Sequence, residues 1–357
     1  MLNPNTTTDK KSEKQPMQLT FLSKIQSSHL KYLMVFVPLF LAYLGNIFGS
    51  YWTLLGIGSI AVITVLDFLV KDNSKIDIKD EKYFSNHILF GVAFFQLALL
   101  ISFVIGVKNG VIIGQYYWWA ILSTGFATAI CGSAGAHDLI HRRADLEKTI
   151  GSLQLALVLY GHHPVEHIQG HHRHVATDED PSSPAKGTNF WVYLVKGYIQ
   201  EIKEGYGYEA ERLIKKQKNP ISLENQVVKW WSLNFLVLLT VGIIDFDALI
   251  GYILISLIFV VFHAAVVYSQ HYGLRREDGE RVGDTHSWQT NSLMTELFLL
   301  GFGNHSDHHT RVTKTYTEIY QKDFGPKMPF GYFGSLVVAI IPPLWFSIVD
   351  KRLEKKI

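Results

Sequence analysis

Residues 88–107 read ILFGVAFFQLALLISFVIGV, a run of twenty residues with no charged side chain. A helix rising about 1.5 Å per residue needs about 20 apolar residues to cross the hydrocarbon core of a bilayer. This run has that length, and others like it flank it in pairs. Residues 32–49 and 52–70 precede it, 111–136 follow it, and 230–244 and 248–268 form a later pair. The stretch 230–244 reaches spanning length by borrowing flanking residues. The pattern predicts an all-α membrane protein with six transmembrane helices in three hairpins. Residues 1–30 are expected as a polar N-terminal tail and 31–357 as a single integral-membrane domain. The tail lacks a short apolar segment followed by small residues, so no cleavable signal peptide is expected.

The 357 residues are 48% hydrophobic and 13% aromatic, which excludes a disordered chain. A formal charge of +2 gives no electrostatic basis for binding nucleic acid. Cys131 is the single cysteine, so an intramolecular disulfide and a cysteine-ligated zinc or iron–sulfur site are both excluded. Its apolar neighbours make it a buried core thiol. Lysine and arginine are sparse at 49–51, 108–110 and 245–247 and frequent in the tail, in 71–87 and in 137–229. The positive-inside rule places the basic segments, and with six spans both termini, on the cytoplasmic side of a bacterial-type inner membrane.

The histidines fall on that same side. Of sixteen, most sit in four groups: His137 and His141 closing span four, His167, His171 and His172, then His271 after span six, and His305, His308 and His309. Residues three or four apart share a helix face. His137 and His141 can therefore reach one metal, as can His167 with His171, leaving His172 turned toward a neighbouring position. His305 with His308 or His309 repeats the pattern. Nine imidazoles are too many for one ion and suit two five- or six-coordinate transition metals with open positions. Asp138, Glu166, Asp178 and Asp307, with Glu179 and Asp180 close by, are candidates to orient these rings. His29, His87, His162, His163 and His174 read as solvated or supporting groups. His263 lies inside span six without a spaced partner, and His286 is undecided.

The segments HDLIHR (137–142), EHIQGHHRHVATDEDP (166–181), QHYGL (270–274) and NHSDHHT (304–310) together resemble the integral-membrane alkane monooxygenases. That family carries HE(L/M)xHK, EHxxGHHxxVATPxDP, NYxEHYGL and a closing HSDHH. The likeness runs from about residue 30 through IPPLWF at 341–346. It is looser to the membrane desaturases and xylene-type hydroxylases. The chain departs from the pattern at Asp138 (Glu in the family), Arg142 (Lys), Gln270 (Glu) and Asn304 (Arg). The resemblance implies a cytoplasmic-side di-iron site on the nine histidines, O2 as co-substrate, and hydroxylation of an unactivated terminal methyl group of an alkane or similar chain to a primary alcohol.

Such chemistry requires a metal that changes oxidation state, which zinc does not. No CxxC pair occurs, so the electrons are expected from a separate rubredoxin- or ferredoxin-type donor with its reductase. An apolar substrate from the bilayer is expected to enter a tunnel walled by spans one, two, four and six. Gly45, Gly49, Gly56 and Gly58 would allow close helix approach. Trp52 is the candidate for the tunnel's far end, with an interfacial-belt role as the alternative. Residues 185–229 read as an amphipathic surface helix, with Lys215, Lys216 and Lys218 available to an acidic donor. Two other readings stay open. One is a related di-iron enzyme acting on fatty acyl, aryl-methyl or terpene substrates by hydroxylation, desaturation or decarboxylation. The other is a metal transporter or store, against which the placing of the histidines at span ends rather than at the bilayer midplane counts.

Overall fold

The computed structural model describes residues 29–70, 82–277, 279–320 and 325–354. Most of the expected polar tail and of the basic 71–87 loop lies outside them. Six helices are long and apolar enough to cross a membrane: Leu30–Phe48, Ser50–Leu69, Ser85–Lys108, Gln115–Ile140, Gln226–Ile244 and Phe246–His271. The chain is a multi-pass membrane protein. Residues 111–114, expected at the start of span four, instead form its entry turn, with Gly110 and Gly114 at φ of 68° and 59°. Span four in turn continues to Ile140, so its last turn carries His137.

The spans do not share burial in proportion to their hydropathy. Span four has the lowest mean hydropathy, 1.2, yet 83% of its apolar window is buried inside the protein. Span three reaches 2.6 with 50% buried. The cause is side-chain size. Residues 123–136 read STGFATAICGSAGA, and small residues let neighbouring backbones close in on this helix until it becomes the axis of the bundle. The large apolar side chains that raise hydropathy elsewhere face outward, as at Val62, Phe94, Phe235, Ile243 and Leu257.

Several polar groups buried in the bundle are tied between spans, as suits a solvent without hydrogen-bonding partners. Asn46 donates to Ser102 Oγ at 3.2 Å and to Thr124 Oγ1 at 3.1 Å. Ser123 Oγ donates to the Thr53 carbonyl at 2.6 Å and accepts from Ile57 N at 2.9 Å. Cys131 is buried, with its thiol on the Val35 carbonyl at 2.9 Å.

Outside the spans, the helix Phe190–Lys215 turns Phe190, Tyr193, Gly197, Glu201, Gly205, Glu209 and Leu213 inward, a stripe with one step of three residues and then steps of four. It packs on the segment His163–Glu166. The helices Leu293–Phe298, His305–Thr310, Tyr332–Ala339 and Pro342–Glu354 complete the same end of the molecule. Among the described residues there is no strand, and a lone bridge joins Gln289 to Lys327.

The expected glycine contacts divide. A Cβ on Gly56 would lie 2.6 Å from Ser123 Cβ and 2.9 Å from Ala42 Cβ, whereas one on Gly58 would meet nothing within 4 Å. Gly58 is therefore no contact residue: it lies on the outward face of span two. Gly56→Val should lower stability by about 1–3 kcal/mol through overpacking, and Gly58→Val should stay within about 0.5 kcal/mol. Thermal unfolding of both variants in one detergent checks the difference.

Candidate metal centre

The nine imidazoles reach a common volume from four segments. His137 and His141 follow the ordinary helical spacing, with ring centroids 4.9 Å apart. His305 and His309 do the same, their Nε2 atoms 2.9 Å apart. The segment His167–His171 does not. There the His172 amide donates to the His167 carbonyl, five residues back, so the helix carries an extra residue in this turn. Wide turns of this kind concentrate at functional sites. As a result His167 pairs with His172, Nε2 to Nε2 at 3.0 Å, and His171 points elsewhere. The expected pairing of His167 with His171 is corrected accordingly.

Two groups result. His137, His141, His167, His172 and His308 form one, and His171, His271, His305 and His309 the other, each with its ligand atoms within 4.8 Å of one another. In the first, the Nε2 atoms of His141, His167 and His172 make a triangle with edges of 3.0, 3.0 and 3.2 Å. An imidazole nitrogen carries either a hydrogen or a lone pair, so hydrogen bonds cannot satisfy all three edges. A cation uses all three lone pairs at once. With metal–nitrogen bonds of about 2.1 Å, such edges subtend angles of about 90–100°, the cis angles of an octahedral ion. In the second group His271 and His305 face each other at 3.0 Å and His305 and His309 at 2.9 Å. The donor set fits a pair of transition-metal ions of borderline softness.

Electrostatics prepares the rings for that task. Burial, then the neighbouring imidazoles, hold His167, His172, His305, His308 and His309 well below the ordinary imidazole range. Burial pushes His141 down to about 3. The neutral, ligating form therefore prevails at pH 7.

The carboxylates are distributed otherwise than expected. Asp178 points to solvent, with its side chain 94% exposed, and pairs with Arg275 at 3.1 Å. Glu179 reaches His174 at 2.8 Å. Asp180, fully inside, accepts from His171 Nδ1 at 2.9 Å and directs Nε2 of that ring into the second group. Burial opposes the charge of Asp180, but His171 and the Ser183 hydroxyl outweigh it and hold the carboxyl below its ordinary value. Asp138 is held by Arg142 Nε at 2.7 Å and by the Tyr316 amide at 2.6 Å. Asp307 takes Lys314 Nζ at 2.8 Å. Gln270, where the family has Glu, donates to Tyr332 Oη at 3.1 Å.

Several residues that local spacing left aside belong to this region. His162, His163 and His263 are all buried, so none is solvated. His263 does have a partner, His163, at 4.7 Å between ring centroids. Phe302 packs edge-on against His137 at 4.6 Å and His305 at 5.2 Å. It enters the site because Leu300 and Gly301 take φ of 49° and 67° and turn the chain back. A small cavity beside His137, His141 and His308 is walled by Ala134, Leu300, Phe302 and Ile319. Trp52, expected at a tunnel end, is instead half-exposed in the turn between spans one and two, its ring on Phe48 at 4.9 Å. The turn aims the indole outward.

The sequence profile of the fatty acid desaturase family matches residues 114–321. That interval covers spans four to six and all nine histidines. Alkane 1-monooxygenase 2 of Pseudomonas aeruginosa is 35% identical over 248 residues, 68% of this chain and 65% of that protein. Alkane 1-monooxygenase 2 of Alcanivorax borkumensis is 30% identical over 346 residues, 91% of this chain and 90% of its own. The xylene/toluene monooxygenase hydroxylase component of Pseudomonas putida is 26% identical over 336 residues. The chain thus spans less than two thirds of the length of the Pseudomonas aeruginosa relative and nine tenths of the Alcanivorax one. With the four histidine segments in order, six spans around them and these similarities, the chain belongs to the alkane 1-monooxygenase family, within the wider fatty acid desaturase family.

Proposed function

We propose that this chain is a membrane monooxygenase that inserts one oxygen atom of O2 into the terminal methyl C–H of an alkane or similar apolar chain, giving a primary alcohol. The observation that carries this reading is the pair of largely buried imidazole groups, five and four, beside a small cavity walled in part by Ala134, Leu300, Phe302 and Ile319. The names of the relatives support it. Two irons held by His137, His141, His167, His172 and His308 and by His171, His271, His305 and His309 would supply the activation of dioxygen. The second oxygen atom leaves as water, which consumes two electrons and two protons.

The chain's own residues do the rest. Asp180 fixes the tautomer and direction of His171. Phe302, Leu300 and Ala134 would offer the reacting methyl an apolar wall beside His137, His141 and His308. Excluding water protects a reactive site from side reactions. The electrons come from outside the chain, through a rubredoxin- or ferredoxin-type donor with its reductase. The exposed Lys215 and Lys216 on the surface helix offer such a donor a basic patch. The Lys and Arg distribution favours an inner-membrane location with the metal site cytoplasmic.

Three tests follow from this reading. His171→Ala and His308→Ala should each lose iron and turnover together, read by metal analysis and product formation; activity retained in either removes that residue from the ligand set. Cells that make the chain with a rubredoxin and its reductase, fed alkanes, methyl esters and alkylbenzenes under labelled O2, should yield a labelled primary alcohol from the alkane. A labelled benzyl alcohol instead would assign the chain to aryl-methyl substrates. Third, metal retention should fall with pH. The unfolded chain's imidazoles take up protons near about pH 6.5, whereas His141 in the folded, metal-free chain does so at about 3. Between those values the unfolded state binds more protons, so stability declines on acidification. Protons also compete with metal for the ligand nitrogens. Iron content and unfolding temperature should therefore both drop between pH 7.5 and 5.

A further inference from the structure

A third group of metal-ligating side chains lies next to the nine imidazoles and shares none of them. His163, Glu166 and Glu201 bring one ligand atom each within 4.8 Å of one another. All three are buried, at 2%, 0% and 5% exposure. Their contacts are incomplete in a particular way. Neither carboxylate oxygen of Glu166 and neither ring nitrogen of His163 has a hydrogen-bond partner. The two residues face each other at 3.9 Å, too far for a hydrogen bond. Glu201 accepts from Tyr160 Oη at 2.6 Å and from Ser182 Oγ at 3.3 Å, which orients its carboxylate and leaves a lone pair on each oxygen.

A buried carboxylate without a partner is destabilising, and two near one another are more so. Burial pushes the Glu201 carboxyl up to about 7, as expected for a negative charge that lacks a counterion. A local pairing scheme would place an arginine or lysine here. The sequence places a histidine instead, stacked on Tyr160 at 4.7 Å and packed against His263, whose two nitrogens are also unpartnered. One imidazole and two carboxylates with ligand atoms this close together are the donor set of a divalent cation such as Mn2+ or Fe2+.

We propose that His163, Glu166 and Glu201 form a third metal site, specific for a divalent transition-metal ion, with His263 as a further nitrogen donor or as the group that orients His163. The ion stabilises the junction between the helix Phe190–Lys215, the segment His163–Glu166 and span six. His163 and His167 are 4.9 Å apart between ring centroids, so the site adjoins the nine-imidazole centre without sharing a ligand.

The test is a count of metal on the full-length chain in lipid nanodiscs, isolated with its iron, equilibrated with Mn2+ and freed of loose metal. Iron and manganese are measured separately against protein mass. The wild type should hold about three ions per chain, and Glu201→Gln and His163→Gln about two each. Two ions in the wild type, or a variant count equal to that of the wild type, overturns the proposal. Retention of two ions in a variant also shows that the variant is folded. His309→Ala separates this inference from the reading on which the iron centre rests: it should lose iron and keep the ion that Glu201→Gln loses. If both site variants fail to assemble, anomalous scattering from wild-type crystals at the manganese edge decides, with a peak between His163, Glu166 and Glu201 supporting the site and its absence overturning it.

Discussion

Nine imidazoles, mostly buried and turned toward one another with several nitrogen pairs about 3 Å apart, are the constraint around which this molecule is arranged. Without a cation the facing lone pairs oppose each other. Every supporting feature follows from the need to hold these rings in place at the end of an apolar bundle. A loop cannot do this alone, because free rings would rotate apart. The chain therefore sets His137 on the last turn of span four and His141 just beyond it, and makes His271 the last residue of span six. The remaining rings sit on short helices packed at that end of the bundle. The rings inherit the rigidity of helices whose packing is fixed by the membrane.

Span four illustrates how the sequence resolves competing demands. A strongly hydrophobic helix would insert well but would hold its neighbours at a distance. Small residues permit the close approach that makes it an axis, at the cost of hydropathy. The polar atoms thereby buried, Asn46, Ser102, Ser123 and Thr124, are joined across spans rather than left open. Insertion is carried by the outer spans, and precision by the inner one.

The six spans were legible because bilayer thickness imposes a length that composition records. The pairs His137/His141 and His305/His309 were legible because an undistorted helix has a fixed period. The pairing of His167 with His172 was not, since the extra residue in that turn depends on packing from other segments. Neither was the contact of His163 with His263, because spacing reports neighbours along the chain and these rings come from segments a hundred residues apart. In the run Asp178-Glu179-Asp180 composition offered three carboxylates, and a turn sent each to a different partner, Arg275, His174 and His171. The outward aim of Trp52 was not legible for a similar reason: the turn of its backbone sets it, and residue type does not report that direction.

Charge placement explains why Asp180 matters more than the nearer candidates in sequence. Asp138 is neutralised by Arg142 and Asp307 by Lys314, each at contact distance, so their fields at the imidazoles largely cancel. Gln270 replaces a carboxylate of the family pattern and brings no charge beside His271. Asp180 is different: its partner is the ring of His171, whose other nitrogen faces the second imidazole group. A hydrogen-bonded carboxylate of this kind raises the basicity of its imidazole and strengthens the metal bond. Asp180 would thus bring a negative charge to an ion held by the imidazole group that contains His171.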